Sequence, residues 1–437
     1  MALFHGVSRR EFLSSIGIAA VAPAFPGRFY ELAAGERRRA KIRDIQVMVM
    51  QGPRSYTLVK VVSDAGVYGI GESYGSPGAG VKEQILVVKP ALIGKDPLDI
   101  DPLFSGLGNR TDGSAHNLMR AISGIEMAVW DLAGKILEVP TSTLLGGKFR
   151  NRTRVYDHAG PRSQLDKKAC ADWAAEVKAN PAGFTCHKFS PQPDPPAAGS
   201  GRGRGAGGGG GGEEGGGRSG TRVLSARQIM NIQQGWENVR EAAGWDRDVM
   251  VHCSWNYDLR TSIQIAEAVA SARPVWLEDP MAVPYTESWK RLTEVSKTPI
   301  CMGENLVFRE QFVDFIINVG ADIIHPDLRN TGGFLATSRI AQMASIYGLP
   351  MATHNTGSQI NTYAAAQWAG SIKDYIALET ITGQGDWMDK VLLLPGPYIK
   401  DGFIEVHDRP GLGIELNPDV VRAHLAPGEA WWGSASA

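Results

Sequence analysis

A parallel α/β barrel of the TIM-like (β/α) type, preceded by a small α+β domain, is the fold class that this 437-residue sequence predicts. Two observations carry that prediction. Between residues 153 and 378, eight short apolar runs alternate with longer helical patterns, as repeated βα units do. Ahead of them, residues 41–72 alternate like paired strands and a long amphipathic helix pattern follows. Composition agrees, since 43% hydrophobic and 21% charged residues leave ample material for a large core. The 45 basic and 46 acidic residues nearly cancel, so no basic field favours nucleic acid. Four cysteines without a C-x-x-C pair exclude a disulfide framework. No apolar run reaches the ~18 residues of a membrane span.

The chain opens on what reads as an address. Ser8-Arg9-Arg10-Glu11-Phe12-Leu13 sets two arginines before an apolar, small-residue stretch, and Ala22-Pro23-Ala24 offers a cleavage site. Residues 1–40 are expected to be a twin-arginine export signal and a solvated linker, with the mature protein periplasmic. A short helix with two incidental arginines, on a cytoplasmic protein, is the alternative.

Residues 41–150 form the α+β domain. Ile45 to Val49 is one strand; Tyr56 to Val62 and Val67 to Gly71 flank Asp64-Ala65-Gly66, a hairpin signal. Leu118, Ile122, Ile125, Val129, Leu132 and Ile136 then mark the apolar face of one helix. Residues 151–385 carry the barrel runs: Arg154 to Tyr156, Phe184 to Phe189, Val249 to Trp255, Val275 to Leu277, Ile300 to Met302, Asp322 to Ile324, Pro350 to Ala352 and Tyr375 to Leu378. One insertion interrupts them. A proline-rich lead-in, Pro191 to Pro196, precedes residues 197–220, of which 14 are glycine. Ordering such a segment costs much backbone entropy and buries little, so 191–220 is expected to be disordered. A local frameshift is the other explanation, and resequencing would reveal it. Residues 386–437 make a C-terminal segment.

Polar residues collect where the barrel runs end, which is where such barrels place their chemistry. Leu277-Glu278-Asp279-Pro280, Gly303-Glu304-Asn305, His325-Pro326-Asp327 and Thr353-His354-Asn355 follow four successive runs. His252, Glu278 and Glu304 are evenly spaced by 26 residues, and Asp327 and His354 by 27, one βα unit each. Two carboxylates on neighbouring strand ends can hold a hard divalent cation. A histidine beside an aspartate is an oriented acid or base.

These residues, with Lys188 before Phe189-Ser190 and the return ending in Pro410-Gly411-Leu412-Gly413-Ile414, resemble the enolase superfamily. The likeness is to its mandelate racemase/muconate lactonizing subgroup, nearest to acid-sugar dehydratases of the galactonate dehydratase type, and it covers about 41–433. The resemblance implies an enolase-type barrel with 41–150 as a capping domain and 386–437 returning to the cap. It implies a lyase that abstracts the proton α to a sugar-acid carboxylate through a Mg²⁺-stabilised enediolate and expels the 3-hydroxyl as water. Glu278 and Glu304 then stand as metal ligands, Lys188 near the substrate carboxylate, His354 oriented by Asp327 as base or acid, and Glu379 as a hydrogen-bonding partner of the substrate carboxylate. Substrate specificity is expected around Met50 to Ser55 and Glu72 to Ser76 of the cap. Homo-oligomerisation is implied by the same analogy, and a membrane has no part once the signal is removed.

Two positions depart from the family pattern. His252 stands where the third ligand is usually an aspartate, and Ser254 where dehydratases often carry a histidine, the two positions sharing one strand face. Imidazole suits Mn²⁺, Zn²⁺ or Fe²⁺ better than Mg²⁺, which opens the choice of metal. Ser190 replaces the second lysine of a K-x-K pair and is no base at neutral pH. That disfavours a racemase or cycloisomerase, which remains an alternative together with a catalytically impaired homologue. Asp258 is expected to cap the next helix, Trp387 to pack, and Cys253 and Cys301 to face away from the site.

Overall fold

The computed structural model describes residues 40–75, 80–107, 115–195, 221–380 and 387–433. The expected export signal and the glycine-rich stretch lie outside the described residues; of the 191–220 insertion expected to be disordered, residues 191–195 are placed, with Gln192 accepting from the Gln164 N–H and Pro193 O from Asn231. No helix among those described is long and apolar enough to cross a membrane.

The cap begins with three antiparallel strands in the order β1 (Ile42–Gln51), β2 (Ser55–Ser63) and β3 (Tyr68–Ser73). Register pairs Met50 with Tyr56 and Val62 with Tyr68 across the two turns. Helices α1 (Val81–Leu92), α2 (Ile100–Phe104), α3 (Ala115–Ile136) and the single turn α4 (Thr141–Leu144) follow. The face of α3 read from spacing is the buried one: Leu118, Ile122, Ile125, Val129 and Leu132 join Ile45, Val59 and Val61 in the cap core. Glycine permits this contact, because a Cβ on Gly71 would sit 2.2 Å from the Gly124 carbonyl oxygen of α3.

The barrel alternates strand and helix: β4 (Arg152–Tyr156), α5 (Lys167–Ala179), β5 (Cys186–Phe189), α6 (Ala226–Ala243), β6 (Asp248–His252), α7 (Leu259–Ala268), β7 (Leu277–Glu278), α8 (Glu287–Val295), β8 (Ile300–Met302), α9 (Glu310–Ile317), β9 (Ile323–Ile324), α10 (Gly333–Ile346), β10 (Met351–Thr353), α11 (Gln359–Ser371) and β11 (Tyr375–Glu379). Neighbouring strands are parallel from β5 round to β11 and on to β4. The ring closes between β4 and β5, where the Lys188 N–H donates to the Asp157 carbonyl at 2.8 Å. Side-chain caps start several helices, including Ser225 with Gln228 at α6 and, as expected, Asp258 at α7.

The barrel interior holds one apolar layer: Tyr156, Cys186, Met250, Trp276, Cys301, Ile323, Ala352 and Ala377, one from each strand or its edge. The bulk of Tyr156 and Trp276 is complemented by Ala352 and Ala377, so the layer is a filled plug. All four cysteines are free and buried. Cys301 belongs to this inner layer, which corrects the expectation that it faces the helices; Cys253 packs in the outer core as expected. The reason is local. Gly303 has φ 142, which breaks the strand alternation between Cys301 and Glu304.

Residues 387–433 return to the barrel and to the cap. Strand β12 (Phe403–Glu405) pairs antiparallel with β4, the Leu412 N–H donates to Asp131 of α3 at 2.7 Å, and residues 424–426 lie along the outer edge of β1. There the Gln51 N–H donates to His424 O and the Ala426 N–H to Val49 O.

Candidate active site

Two residues beyond each member of the apolar layer, the same inward face turns ionisable: His158, Lys188, His252, Glu278, His325, His354 and Glu379, with Glu304 one step later because of Gly303. Eight strand ends thus contribute eight ionisable groups at the C-terminal mouth.

On one side of this mouth His252, Glu278, Asp279 and Glu304 each offer a ligand atom within 4.8 Å of the others, all four residues buried. His252 and Glu278 are register partners across β6 and β7. Both Glu278 oxygens are already committed: Trp276 Nε1 donates to Oε2 at 2.7 Å, and Lys188 Nζ to Oε1 at 2.6 Å. Burial alone would raise the Glu278 carboxyl, yet Lys188 and then His325 and His252 hold it down at about 2. For Asp279, burial and then the charge of Glu278 push the carboxyl well above its usual range. Three carboxylates and an imidazole converging on one point, beside a buried ammonium that meets their charge, form a donor set that fits a divalent cation. Asp279 stands in this set beside position 252, where the family pattern has an aspartate.

Across from it stands the His354 pair. His354 Nδ1 is 2.8 Å from Asp327 Oδ2, and its Nε2 points back, 3.6 Å from Glu304 Oε2. Asp327 is gripped by Arg329, whose backbone N–H and Nε donate to Oδ1 (2.8 and 3.2 Å) and whose Nη2 donates to Oδ2 (2.8 Å). Burial would raise the Asp327 carboxyl, but Arg329 and His354 hold it far below the carboxylate range. Arg329 Nη1 also reaches Glu72 of β3 at 3.1 Å, and Glu72 accepts the Ser358 N–H at the start of α11. A continuous chain of contacts therefore runs from the cap through Glu72, Arg329 and Asp327 to His354.

The third cluster centres on Glu379, which is 1% exposed. Its Oε1 meets His158 Nε2 and lies 3.1 Å from Lys188 Nζ; its Oε2 accepts from Tyr156 Oη at 3.2 Å and the Asn355 N–H at 3.3 Å, with His354 Nε2 3.8 Å away. Burial would raise this carboxyl, yet Lys188, His354 and His158 hold it well below its usual value. Burial would lower Lys188, yet Glu278, Glu379 and Glu304 raise it, so it is held as an ammonium. His325 is pulled down to about 3, first by burial, and shares a 2.9 Å hydrogen bond with Tyr156 Oη.

The seven residues singled out in the sequence therefore meet at one mouth, but several details differ. An ionised Glu379 surrounded by donors can accept hydrogen bonds and cannot donate one to a substrate carboxylate. Glu72 is a buried tie to Arg329 and Ser358, so it is not a surface for choosing substrates; residues 76–79 lie outside the described residues. Strand β6 ends at His252, and Ser254 and Trp255 take positive φ (53 and 58), so 252 and 254 do not share a strand face. Trp387 packs, stacked on His424 with ring centroids 3.8 Å apart. Sequence reasoning missed His158, Asp279 and Arg329. The signal for His158 was available, since it stands two residues beyond Tyr156 just as Lys188 does beyond Cys186.

Fold and mouth together define the class: a capped barrel enzyme that moves protons beside a carboxylate cluster able to grip a cation. Residues 172–420 match the model of the enolase C-terminal domain-like family, and 38–146 that of the mandelate racemase / muconate lactonizing enzyme N-terminal domain. A D-xylonate dehydratase of Haloferax volcanii is 34% identical over 90% of this chain and 91% of its own length. A D-gluconate dehydratase of Thermoproteus tenax is 24% identical over 89% and 74%. Among solved structures, a mandelate racemase/muconate lactonizing enzyme-like protein of Rubrobacter xylanophilus superposes with a TM-score of 0.78 at 27% identity, covering 90% of this chain and all of that one. The chain belongs to the mandelate racemase / muconate lactonizing enzyme family of the enolase superfamily.

Proposed function

We propose that this enzyme is a metal-dependent hydro-lyase of a sugar acid, forming a 2-keto-3-deoxy acid. The observation that carries the reading is the placement of His354: one ring nitrogen on buried Asp327, the other 3.6 Å from a carboxylate of the cation-type donor set. A divalent ion held by Glu278, Glu304, His252 and Asp279, Mg²⁺ or Mn²⁺, would neutralise charge developing on the substrate carboxylate. His354 Nε2 takes the proton from C2, while Asp327 holds Nδ1–H and stabilises the imidazolium. Arg329 keeps Asp327 ionised and aimed. Lys188, fixed between Glu278 and Glu379, supplies positive charge to the substrate carboxylate region and is not a base. Racemisation needs a proton carrier on each face of the carbon, and a locked Lys188 is not one, while the dehydratase relatives favour elimination of the 3-hydroxyl. The similarity to D-xylonate and D-gluconate dehydratases supports the same class of substrate.

The test is a screen of D-xylonate, D-gluconate, D-galactonate and related acids for 2-keto acid formation, with Mg²⁺ and Mn²⁺ supplied in parallel. A metal-loaded enzyme that dehydrates none of them would sink the reading. The paired arginines Arg9 and Arg10 support export to the periplasm, to be checked by fractionation with an Arg9→Lys, Arg10→Lys control. Self-association, by analogy with relatives, is checked by sedimentation.

A further inference from the structure

We infer that His158 is a second catalytic residue of this site, the general acid that protonates the departing 3-hydroxyl. The inference rests on the dehydratase reading above and adds a residue to it. Elimination needs one group to take the C2 proton and one to give a proton to the leaving oxygen. His354 is built for the first task. Among the other described histidines at the strand ends, His252 stands in the cation-type donor set, and His325 is fully buried and bonded to Tyr156. His187 is bound to Asp157 at 2.6 Å and packs edge-on against Trp173 of α5, outside the barrel. Ser254, where the family pattern often has a histidine, leaves the strand in a left-handed conformation.

His158 meets the geometric requirements. It stands two residues beyond β4, opposite the strands that carry the cation-type donors, so a substrate whose carboxylate is held by a cation there can extend its carbon chain toward it. Its ring is tethered through Nε2 to Glu379, as His354 is tethered through Nδ1 to Asp327, and Nδ1 is left for transfer. The two imidazoles stand on the two oxygens of one carboxylate: His158 on Oε1, His354 Nε2 3.8 Å from Oε2. His158 has a side chain 23% exposed, against 4% for His354, so it can recover a proton from solvent after each turnover. Glu379 is then a positioning residue.

His354 removes the C2 proton and the C–H electrons pass into the substrate carboxylate. Those electrons return to form a C2–C3 double bond as the C3–O bond breaks. The oxygen leaves with the bond pair and takes the His158 proton, departing as water. The enol then ketonises, losing its O–H proton and gaining a proton at C3, while His354 gives up the proton it took from C2 and His158 is reprotonated from solvent.

The test compares the intact metal-loaded enzyme with His158→Asn and His158→Gln in deuterium oxide, using D-xylonate and 3-deoxy-3-fluoro-D-xylonate. Fluoride departs without a proton, so its release should not need His158. Expected for both variants are dehydration slowed by about 10²–10⁴-fold, and C2–H exchange and fluoride release within roughly fivefold of wild type. His354→Asn should lose all three. Dehydration by both His158 variants near the wild-type rate would overturn the inference. So would a parallel loss of exchange and fluoride release, which marks a binding or structural role. Wild-type enzyme that neither exchanges nor dehydrates any acid of the screen removes the dehydratase reading, and this inference with it.

Discussion

Asp327→Asn isolates what the carboxylate behind His354 does. The side chain keeps its shape, so the change is one of charge and hydrogen-bond polarity. Asp327 Oδ1 accepts from the Arg329 N–H and Nε, and Oδ2 accepts from Arg329 Nη2 and faces His354 Nδ1. An asparagine has one oxygen for these two positions. If its oxygen takes the Oδ1 place, the amide N–H₂ faces His354 Nδ1 and makes that nitrogen an acceptor. The ring proton then sits on Nε2, and the base is blocked. If the oxygen takes the Oδ2 place, the amide meets two Arg329 donors head-on. The first arrangement keeps more bonds, so C2–H exchange and turnover should fall together by about 10²–10⁴-fold. The buried Arg329 loses its main partner, which should cost on the order of 3 kcal/mol. Exchange is read by NMR in deuterium oxide and stability by thermal melting. Exchange within threefold of wild type would refute the assigned base and its tautomer.

Three further outcomes follow from the same geometry. His252→Asp should shift metal content toward Mg²⁺ after dialysis against equal Mg²⁺, Mn²⁺ and Zn²⁺, because it exchanges a neutral nitrogen for a charged oxygen; an unchanged ratio by elemental analysis counts against His252 as a ligand. Glu72→Gln should lower stability by about 2 kcal/mol and slow exchange through the Arg329 tie, whereas a change in KM alone would make Glu72 a substrate contact. Burial, and then Arg409, pull His407 from 6.5 down to about 4, so the fold keeps it neutral. A depressed value stabilises the fold above the unfolded value, and that stability is lost as pH falls from 6.5 through 4. Melting curves of wild type and His407→Gln should therefore converge by on the order of 2–3 kcal/mol over that window, and parallel curves would remove the assignment.

The fold was largely legible because a βα barrel writes its repeat into the chain. All eight apolar runs became β4 to β11, and the even spacing of His252, Glu278 and Glu304 reflects one βα unit per step. The site was less legible wherever backbone conformation broke the period. Alternation could not foresee φ 142 at Gly303, which turns Cys301 inward, or φ 45 at Asp279, which lets two consecutive residues, Glu278 and Asp279, offer oxygens to one point. Arg329 escaped notice because its partners, Asp327 and Glu72, are far apart in the chain. Glu379 was given a donor's task because its three cationic or potentially cationic neighbours, Lys188, His158 and His354, come from three different strand ends.

The clasp of residues 424–426 on β1 has a consequence for biosynthesis. Strand β1 forms one border of the cap sheet, and the outward amide of Gln51 and carbonyl of Val49 find partners in residues 424–426, far along the chain. Until those residues are made, this stretch of the border is open to pairing with a passing extended segment. A chain cut before residue 424 should therefore be the sticky form of this protein.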